Sequence, residues 1–219
     1  MRRLKAESKN ALTGRAAQVV KLLKKQYPHA KCSLNFRTVH QLMVATILSA
    51  QCTDERVNMV TADLFKKYRS LKDFAEADLA VLGQDIYSTG FHNSKAKSIK
   101  NSARQLLENH NGRIPKKLDD LIKLSGVGRK TGSVILGVGF DLAEGVVVDT
   151  HVGRISRLLG FTSEKDPVKV EKDLMGIIAR EDWIIYSHLM IDHGRATCKA
   201  RKPDCAGCVL SKLCPSAVG

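Results

Sequence analysis

Residues 124–132 read LSGVGRKTG, and this stretch decides how the chain around it folds. Gly126 and Gly128 lie one residue apart between two apolar runs that both fit helices. Because glycine adopts backbone angles that side chains forbid, the pair predicts a sharp turn between two helices. The second helix would point its amides and the positive end of its dipole at an anion. Because Arg129 and Lys130 directly follow the turn, the stretch predicts a phosphate site beside an amine.

Apolar residues recur with helical spacing along most of the chain, which predicts an all-α fold of many short helices. One further helix is expected directly after Gly128. Only Val146-Val147-Val148 favours a strand, and this run is very short. The other predicted helices span residues 17–23, 42–48, 57–65, 99–107, 118–124, 152–159, 168–178 and 183–191.

The 219-residue chain has 36 basic and 22 acidic residues, for a formal charge of +14. This excess favours a polyanionic partner, although an ordinary basic surface is an alternative. A hydrophobic content of 43% suffices for a real core. No apolar run approaches the roughly 20 residues of a membrane span, and no apolar segment follows the basic N-terminus. We therefore expect a reducing, cytoplasmic location and no membrane partner.

Four cysteines crowd into the last 22 residues with the spacing C-x6-C-x2-C-x5-C: Cys198, Cys205, Cys208 and Cys214. Four thiolates in a short loop can bind tetrahedral zinc or an iron–sulfur cluster. The single C-x2-C pair and the six-residue gap suit an object larger than a zinc ion. Four unrelated buried thiols are the alternative. Cys32 and Cys52 are interpreted as small core residues.

Basic residues accompany the cysteines, and a metal centre that ordered this loop would present them together for phosphate contact. A solvated basic loop is the alternative interpretation. These residues are Arg195, Lys199, Arg201 and Lys202.

Lys130 is the candidate nucleophile, because a helix N-terminus, Arg129 and partial burial would all disfavour the ammonium form. An electrostatic role at a phosphate site is the alternative. Asp149 directly follows three β-branched residues. This position would place its carboxylate at the edge of an apolar region that excludes water. Asp149 is equally suited to cap a following helix, and the two roles are compatible.

Taken together, these motifs resemble the endonuclease III family, bifunctional DNA glycosylases of the helix-hairpin-helix superfamily. The resemblance extends from about Tyr27 to Cys214 and includes several short motifs in the same order. They are Leu48-Ser49-Ala50-Gln51, Thr89-Gly90-Phe91-His92-Asn93-Ser94-Lys95-Ala96, the hairpin, Val148-Asp149-Thr150-His151, and His193-Gly194-Arg195 leading into the cysteine loop.

The resemblance implies a two-domain all-α glycosylase fold with the substrate cleft between the domains. A six-helix barrel would span residues 33–142 and include the helix-hairpin-helix at about 118–137. Residues 1–32 and 143–219 would form a discontinuous domain that holds a [4Fe-4S] cluster on the four cysteines. The implied partner is double-stranded DNA with damaged bases or abasic sites, bound by a monomer that is nucleoid-associated in a prokaryote.

The resemblance also implies a mechanism, in which the damaged base is flipped out of the duplex. Lys130 would attack C1′ and Asp149 would stabilise positive charge on the sugar. Gln51 would fill the vacated gap and Phe91 would wedge the opposite strand, although Phe91 could also be a core residue. The remaining implied DNA contacts are His92, the hairpin residues Gly126, Val127, Gly128 and Arg129, and the loop residues Arg201 and Lys202.

Three departures from the family pattern bear on substrate range and turnover. Ser125 replaces the usual proline before the hairpin. Gly132 and Ser133 stand where alanine and asparagine are frequent, which would alter the pocket floor. The stretch before Asp149, around residues 141–145, is about one residue longer. Two other functions stay open: a monofunctional glycosylase for mismatched adenine or thymine, which generally lacks the hairpin lysine, and a non-enzymatic DNA-binding iron–sulfur protein.

Overall fold

The computed structural model describes residues 7–218 and is helical over that range, with no β-strand. The all-α prediction is therefore confirmed. Three short 3₁₀ turns lie at Tyr87–Thr89, Arg180–Asp182 and Ser211–Leu213. The α-helices are α1 (Lys9–Gln26), α2 (Val39–Leu48), α3 (Asp54–Lys67), α4 (Leu71–Glu76), α5 (Leu79–Asp85), α6 (His92–Asn109), α7 (Leu118–Leu121), α8 (Arg129–Phe140), α9 (Thr150–Leu158), α10 (Pro167–Met175) and α11 (Trp183–Ala196).

The chain divides into two compact units. One unit is continuous and spans Ser33–Glu144, so it contains α2 to α8. The other joins Met1–Cys32 to Gly145–Gly219 and contains α1 and α9 to α11. Within residues 7–218, no helix is both long and apolar enough to span a membrane.

In the Ser33–Glu144 unit, α2 is the central helix. Every residue from Leu42 to Leu48 is buried, as expected for a helix that is apolar on all sides. It contacts α3, α6 and α8, while α6 also packs against α4 and α5. The helix that follows the glycine turn therefore rests directly on the core of its unit.

In the other unit, α11 contacts both α1 and α9 around a second hydrophobic core. Tyr186 is fully buried in α11, and its hydroxyl lies 2.9 Å from the Ser156 hydroxyl of α9. Burial raises the pKa of Tyr186, so this buried hydroxyl stays protonated and hydrogen-bonded. The pair fixes the position of α9 against α11.

Four segments depart from the predicted secondary structure. The helices α4 and α5, of only six and seven residues, were not predicted. The predicted helix over residues 118–124 ends at Leu121, because the chain turns there into the hairpin. Residues 146–148 form no strand; instead the Val147 carbonyl accepts a hydrogen bond of 2.9 Å from the Ser187 hydroxyl.

Candidate active site

The glycine turn joins α7 to α8, and its geometry requires glycine at one position. Gly126 has φ +76°, in the left-handed region that side chains disfavour. A Cβ on Gly126 would also lie 2.6 Å from the Cβ of Ser98 on α6. The Val127 amide donates to the Leu124 carbonyl at 3.1 Å and closes the turn. Both backbone angle and space therefore exclude a side chain at residue 126.

The N-terminus of α8 is built to receive an anion. Its N-cap residue is Gly128, so no side chain accepts a hydrogen bond from the first turn. The first intrahelical bond runs from the Gly132 amide to the Gly128 carbonyl at 2.8 Å, and the amides before it point toward the turn. Val127 has 4% of its surface exposed, so only its backbone can contact a ligand.

Gln105 braces the hairpin from α6. Its Oε1 accepts a hydrogen bond of 2.8 Å from the Ser125 amide, and its Nε2 donates to the Lys123 carbonyl at 3.3 Å. The sequence does not predict this brace, because a single glutamine on a helix carries no distinguishing signal. It holds the segment in which Ser125 stands in place of the usual proline.

Lys130 is exposed on the first turn of α8, so the expected partial burial was wrong. The buried side of the helix begins two residues later, at Gly132 and Ser133. A Cβ on Gly132 would lie 2.7 Å from the Cδ1 of Leu118. The space left by the missing methyl group is thus filled by α7, and α7 packs closely behind the lysine.

Gln51 and Phe91 lie at the ends of two separate loops of the same unit. Both are exposed, and both are non-glycine residues in the left-handed region, with φ 54° and 49°. Phe91 is 65% exposed, so the alternative of a core phenylalanine is wrong. The half-buried ring of His92 packs against Tyr87 with ring centroids 4.7 Å apart. These loops hold one polar and one aromatic side chain out toward solvent.

Asp149 is the N-cap of α9, and its Oδ1 accepts a hydrogen bond of 2.8 Å from the Val152 amide. The capping interpretation is therefore confirmed. The half-buried carboxylate also lies close enough to His188 to act on its charge. Burial lowers the pKa of His188, and the carboxylates of Asp192 and Asp149 partly oppose this shift. His188 was not singled out by the sequence analysis.

The first turn of α9 fits closely against α11. A Cβ on Gly194 would overlap the ring of His151, so glycine is required for the two helices to approach. Nδ1 of His151 is buried and finds no hydrogen-bond partner among residues 7–218. The motifs around Asp149 and Gly194, which are distant in sequence, thus meet in one packed contact.

All four cysteines of the terminal loop are free thiols. Cys198, Cys208 and Cys214 pack against the hydrophobic core of their unit. Burial raises the pKa of Cys208, the hydrogen bond from the Leu210 amide lowers it, and the charges of the other three cysteines raise it further. No group of three or more histidine, cysteine or acidic side chains within residues 7–218 is arranged to hold a metal ion.

Hydrogen-bond donors nevertheless surround these sulfur atoms. Nη1 of Arg154 lies 3.7 Å from the sulfur of Cys198, and the Leu210 amide lies 3.4 Å from that of Cys208. Nε2 of His193 lies 3.6 Å from the Cys208 sulfur. Donors of this kind stabilise negatively charged sulfur and tune iron–sulfur centres. The donor set therefore fits thiolate ligands of such a cluster.

His193 and Tyr27 support the loop from behind. Burial, and to a lesser extent Arg154, lower the pKa of His193 to about 4, so the imidazole is neutral near pH 7. Its Nδ1 lies 3.1 Å from the Tyr27 hydroxyl, which lies 3.1 Å from the Thr197 hydroxyl. Arg201 and Lys202 are exposed in the loop itself.

Comparison with protein families shows a match over residues 44–180 to the HhH-GPD superfamily of base excision DNA repair proteins. The chain is 49% identical to endonuclease III of Synechocystis over 93% of both chains. It is 45% identical to endonuclease III of Bacillus subtilis over 86% of both chains. Against endonuclease III of Escherichia coli K12 the identity is 36%, over 90% of this chain and 93% of the relative.

Solved structures agree with this relationship. A non-covalent endonuclease III–DNA complex superposes with a TM-score of 0.88 at 41% identity, covering 94% of this chain and 96% of the other. A trapped endonuclease III–DNA covalent intermediate gives 0.88 at 42% identity with the same coverage. A thermostable thymine-DNA glycosylase gives 0.85 at 20% identity, covering 94% and 98%, which shows a shared fold alone. The predicted resemblance is confirmed: the chain belongs to the HhH-GPD superfamily of base excision DNA repair proteins, with endonuclease III among its relatives.

Proposed function

We propose that this chain is a DNA glycosylase and abasic-site lyase that acts on damaged bases in double-stranded DNA. The observation on which the proposal depends is the α8 N-terminus, which has no side-chain cap behind the Gly126–Gly128 turn and presents exposed Lys130 on its first turn. Backbone amides at a helix N-terminus bind phosphate without reading sequence. An amine one residue inside that helix would then lie beside the sugar of the bound nucleotide.

Recognition would begin with extrusion of the damaged nucleotide, because C1′ is inaccessible within the base stack. Gln51 would enter the vacated gap, and exposed Phe91 would wedge the opposite strand, as apolar side chains do when they unstack bases. His92, packed on Tyr87, would contact DNA beside the wedge. The hairpin, from Gly126 to Arg129, would hold the backbone of the damaged strand.

The chemistry would proceed through the neutral amine of Lys130. Its nitrogen forms a bond to C1′ while the glycosidic bond to the base breaks, and the departing base takes up a proton. The nitrogen then loses one proton, and the C1′–O4′ bond breaks as O4′ takes up a proton, which leaves a protonated Schiff base. Removal of a C2′ proton then breaks the C3′–O bond, so the strand is cut 3′ to the lesion. Water finally hydrolyses the imine and restores the lysine.

Asp149 would stabilise positive charge on the sugar and move protons during these steps. One of its oxygens is occupied by the Val152 amide. That bond fixes the orientation of the carboxylate, and therefore the cap supports a catalytic role rather than competing with it. Burial lowers the pKa of His188, and the same carboxylate partly opposes that shift.

The four cysteines would bind a [4Fe-4S] cluster, and the unit that contains them would be the cluster domain, while Ser33–Glu144 would be the barrel domain. The N–H groups around Cys198 and Cys208 support this assignment. When bound, the cluster would supply a covalent link across residues 198–214 and a one-electron redox centre. This link would order the loop and so position Arg201 and Lys202 for contact with phosphates.

We further propose oxidised pyrimidines as substrates, a monomeric enzyme, and a location on the chromosomal DNA of the cytoplasm. The experiment is a panel of duplexes, each with one lesion or an abasic site, scored separately for base release and for strand cutting. Wild-type protein should release oxidised pyrimidines and cut at the same sites, and Lys130→Ala should do neither. Base release without cutting would identify a monofunctional glycosylase, and binding without either would identify a DNA-binding protein.

A further inference from the structure

Lys95 is a buried lysine in the first turns of α6, with 5% of its surface exposed. Lysine is rarely buried without a partner, because its ammonium loses its hydration. Here the ammonium nitrogen donates to two backbone carbonyls, those of Leu48 and Thr89, each at 2.8 Å. These two residues are 41 positions apart in the sequence, and one side chain therefore ties two separate segments together.

Both carbonyls lie at the end of a helical segment. Leu48 is the last residue of α2, and Thr89 is the last residue of the 3₁₀ turn Tyr87–Thr89. Carbonyls at helix C-termini have no partner within the helix, and the negative end of the dipole favours a cation there. The buried ammonium of Lys95 is thus hydrogen-bonded to carbonyls at the ends of two helical segments.

Each of these segments leads directly into one of the two exposed loop residues. Gln51 follows Leu48 by three residues, and Phe91 follows Thr89 by two. Both residues have positive φ, a conformation that non-glycine residues adopt only when the surrounding structure holds it. The Lys95 ammonium thus contacts the base of both loops.

We infer that Lys95 is a positioning residue that couples the Gln51 loop to the Phe91 loop. The two loops then keep a fixed relative position and enter the DNA together. This inference rests on the proposed function, because it assigns Gln51 and Phe91 to opposite sides of the same extruded base pair. Lys95 itself touches no DNA in this account. Its loss would release two loops at once and leave the lysine nucleophile and the hairpin in place.

The test compares Lys95→Met, which keeps the length of the side chain and removes its donors, with wild-type protein. The matched control is Leu106→Ala, which opens a cavity in the same helix about 16 Å away at 1.5 Å per residue. Leu106 is fully buried, so the control lowers the melting temperature without touching either loop. Borohydride trapping is measured on one abasic oligonucleotide, both single-stranded and as a duplex. Fluorescence of 2-aminopurine opposite the abasic site reports unstacking.

Lys95→Met should lose about 100-fold in trapping on the duplex, the order of loss that small misplacements cause. It should change little on the single strand, which has no gap to fill, and its 2-aminopurine signal should fail to rise on binding. Leu106→Ala should keep the wild-type ratio of duplex to single strand. Where Lys95→Met does not fold, Lys95→Arg takes its place: it keeps the charge but cannot place one nitrogen between the same two carbonyls. It should lose trapping on the duplex relative to wild type and keep it on the single strand, and equal effects on both would overturn the coupling role.

Equal losses on duplex and single strand, or a normal 2-aminopurine rise in Lys95→Met, would overturn the coupling role. The same ratio in Lys95→Met and Leu106→Ala would also overturn it, because general instability would then explain the loss. Failure of the proposed function has a different signature, since wild-type protein would then trap neither substrate. The fluorescence comparison needs no chemistry and decides the coupling role even in that case.

Discussion

Asp149 caps the N-terminus of α9 by accepting a hydrogen bond of 2.8 Å from the Val152 amide. Capping needs only this acceptor, whereas the proposed catalytic role needs the carboxylate, so substitutions can separate the two roles. Asparagine caps helices about as well as aspartate, whereas alanine does not cap at all. We expect Asp149→Asn to keep wild-type stability and Asp149→Ala to lose about 1 kcal/mol of unfolding free energy. Urea unfolding measures both.

The same two variants should lose base release together, by at least about 100-fold, because both remove the carboxylate. Single-turnover assays on a lesion duplex measure this loss. Full activity in Asp149→Asn would show that the residue is a helix cap and nothing more.

At the level of single residues, the sequence identified the groups but not their burial. Lys130 was expected to be partly buried and is exposed, whereas no burial was predicted for Lys95, which is buried. Burial depends on which side of a helix meets the core, and the first turn of α8 precedes its buried side. Tertiary contacts, rather than the local sequence pattern, determine which lysine is buried.

The hairpin is the element whose geometry is most demanding. We expect Gly126→Ala to lower the unfolding free energy of the protein by about 1–3 kcal/mol, because a Cβ there meets Ser98 at 2.6 Å. The matched control is Gly128→Ala, since φ at Gly128 is −85° and a Cβ there meets open space. The control should stay within about 1 kcal/mol of wild type, because weaker capping offsets a less flexible unfolded chain.

Urea unfolding measures the stability of both variants. Their affinity is measured for a duplex that contains an abasic-site analogue. Comparable stability of the two variants would contradict the tight turn described above. Loss of affinity in Gly126→Ala would connect the turn to DNA binding.

At the level of elements, long amphipathic helices were predictable and short ones were not. The missed helix α4 begins at Ser70 with a capping box formed with Asp73, and α5 begins at Asp78, whose side chain caps two amides. These start signals were present in the sequence. Six or seven residues, however, give too few turns for a helical period to be recognised. The hairpin was predictable, because glycine spacing encodes it locally.

On the scale of the whole molecule, the formal charge of +14 should make DNA binding strongly dependent on salt. If Arg201 and Lys202 contact phosphates, removing both should lower the slope of log affinity against log salt by about two. The matched control removes Lys66 and Lys72, which are exposed and paired with Asp63 and Glu76. Both double variants lose the same charge.

Affinity for the abasic-analogue duplex is measured from about 50 to 200 mM salt, the range over which counterion release is large. The control should keep the wild-type slope. Equal slopes for the two double variants would show a general effect of charge rather than contact by the cysteine loop.

At this scale the spacing in the cysteine loop predicts a shared metal centre, and that assignment stays a prediction. The support behind that loop could not be predicted, since Tyr27, Arg154 and His193 converge from three helices or helix ends distant in the sequence. Likewise, the need for glycine at residue 194 follows from the ring of His151, 43 residues earlier.

In the proposed mechanism, the amine of Lys130 attacks the sugar of the damaged nucleotide. The most direct measurement traps the enzyme on an abasic duplex with borohydride, digests the adduct and locates the modified residue by mass spectrometry. We predict a single adduct on Lys130, with none formed by Lys130→Ala. An adduct on another amine, or undiminished trapping by Lys130→Ala, would contradict the account.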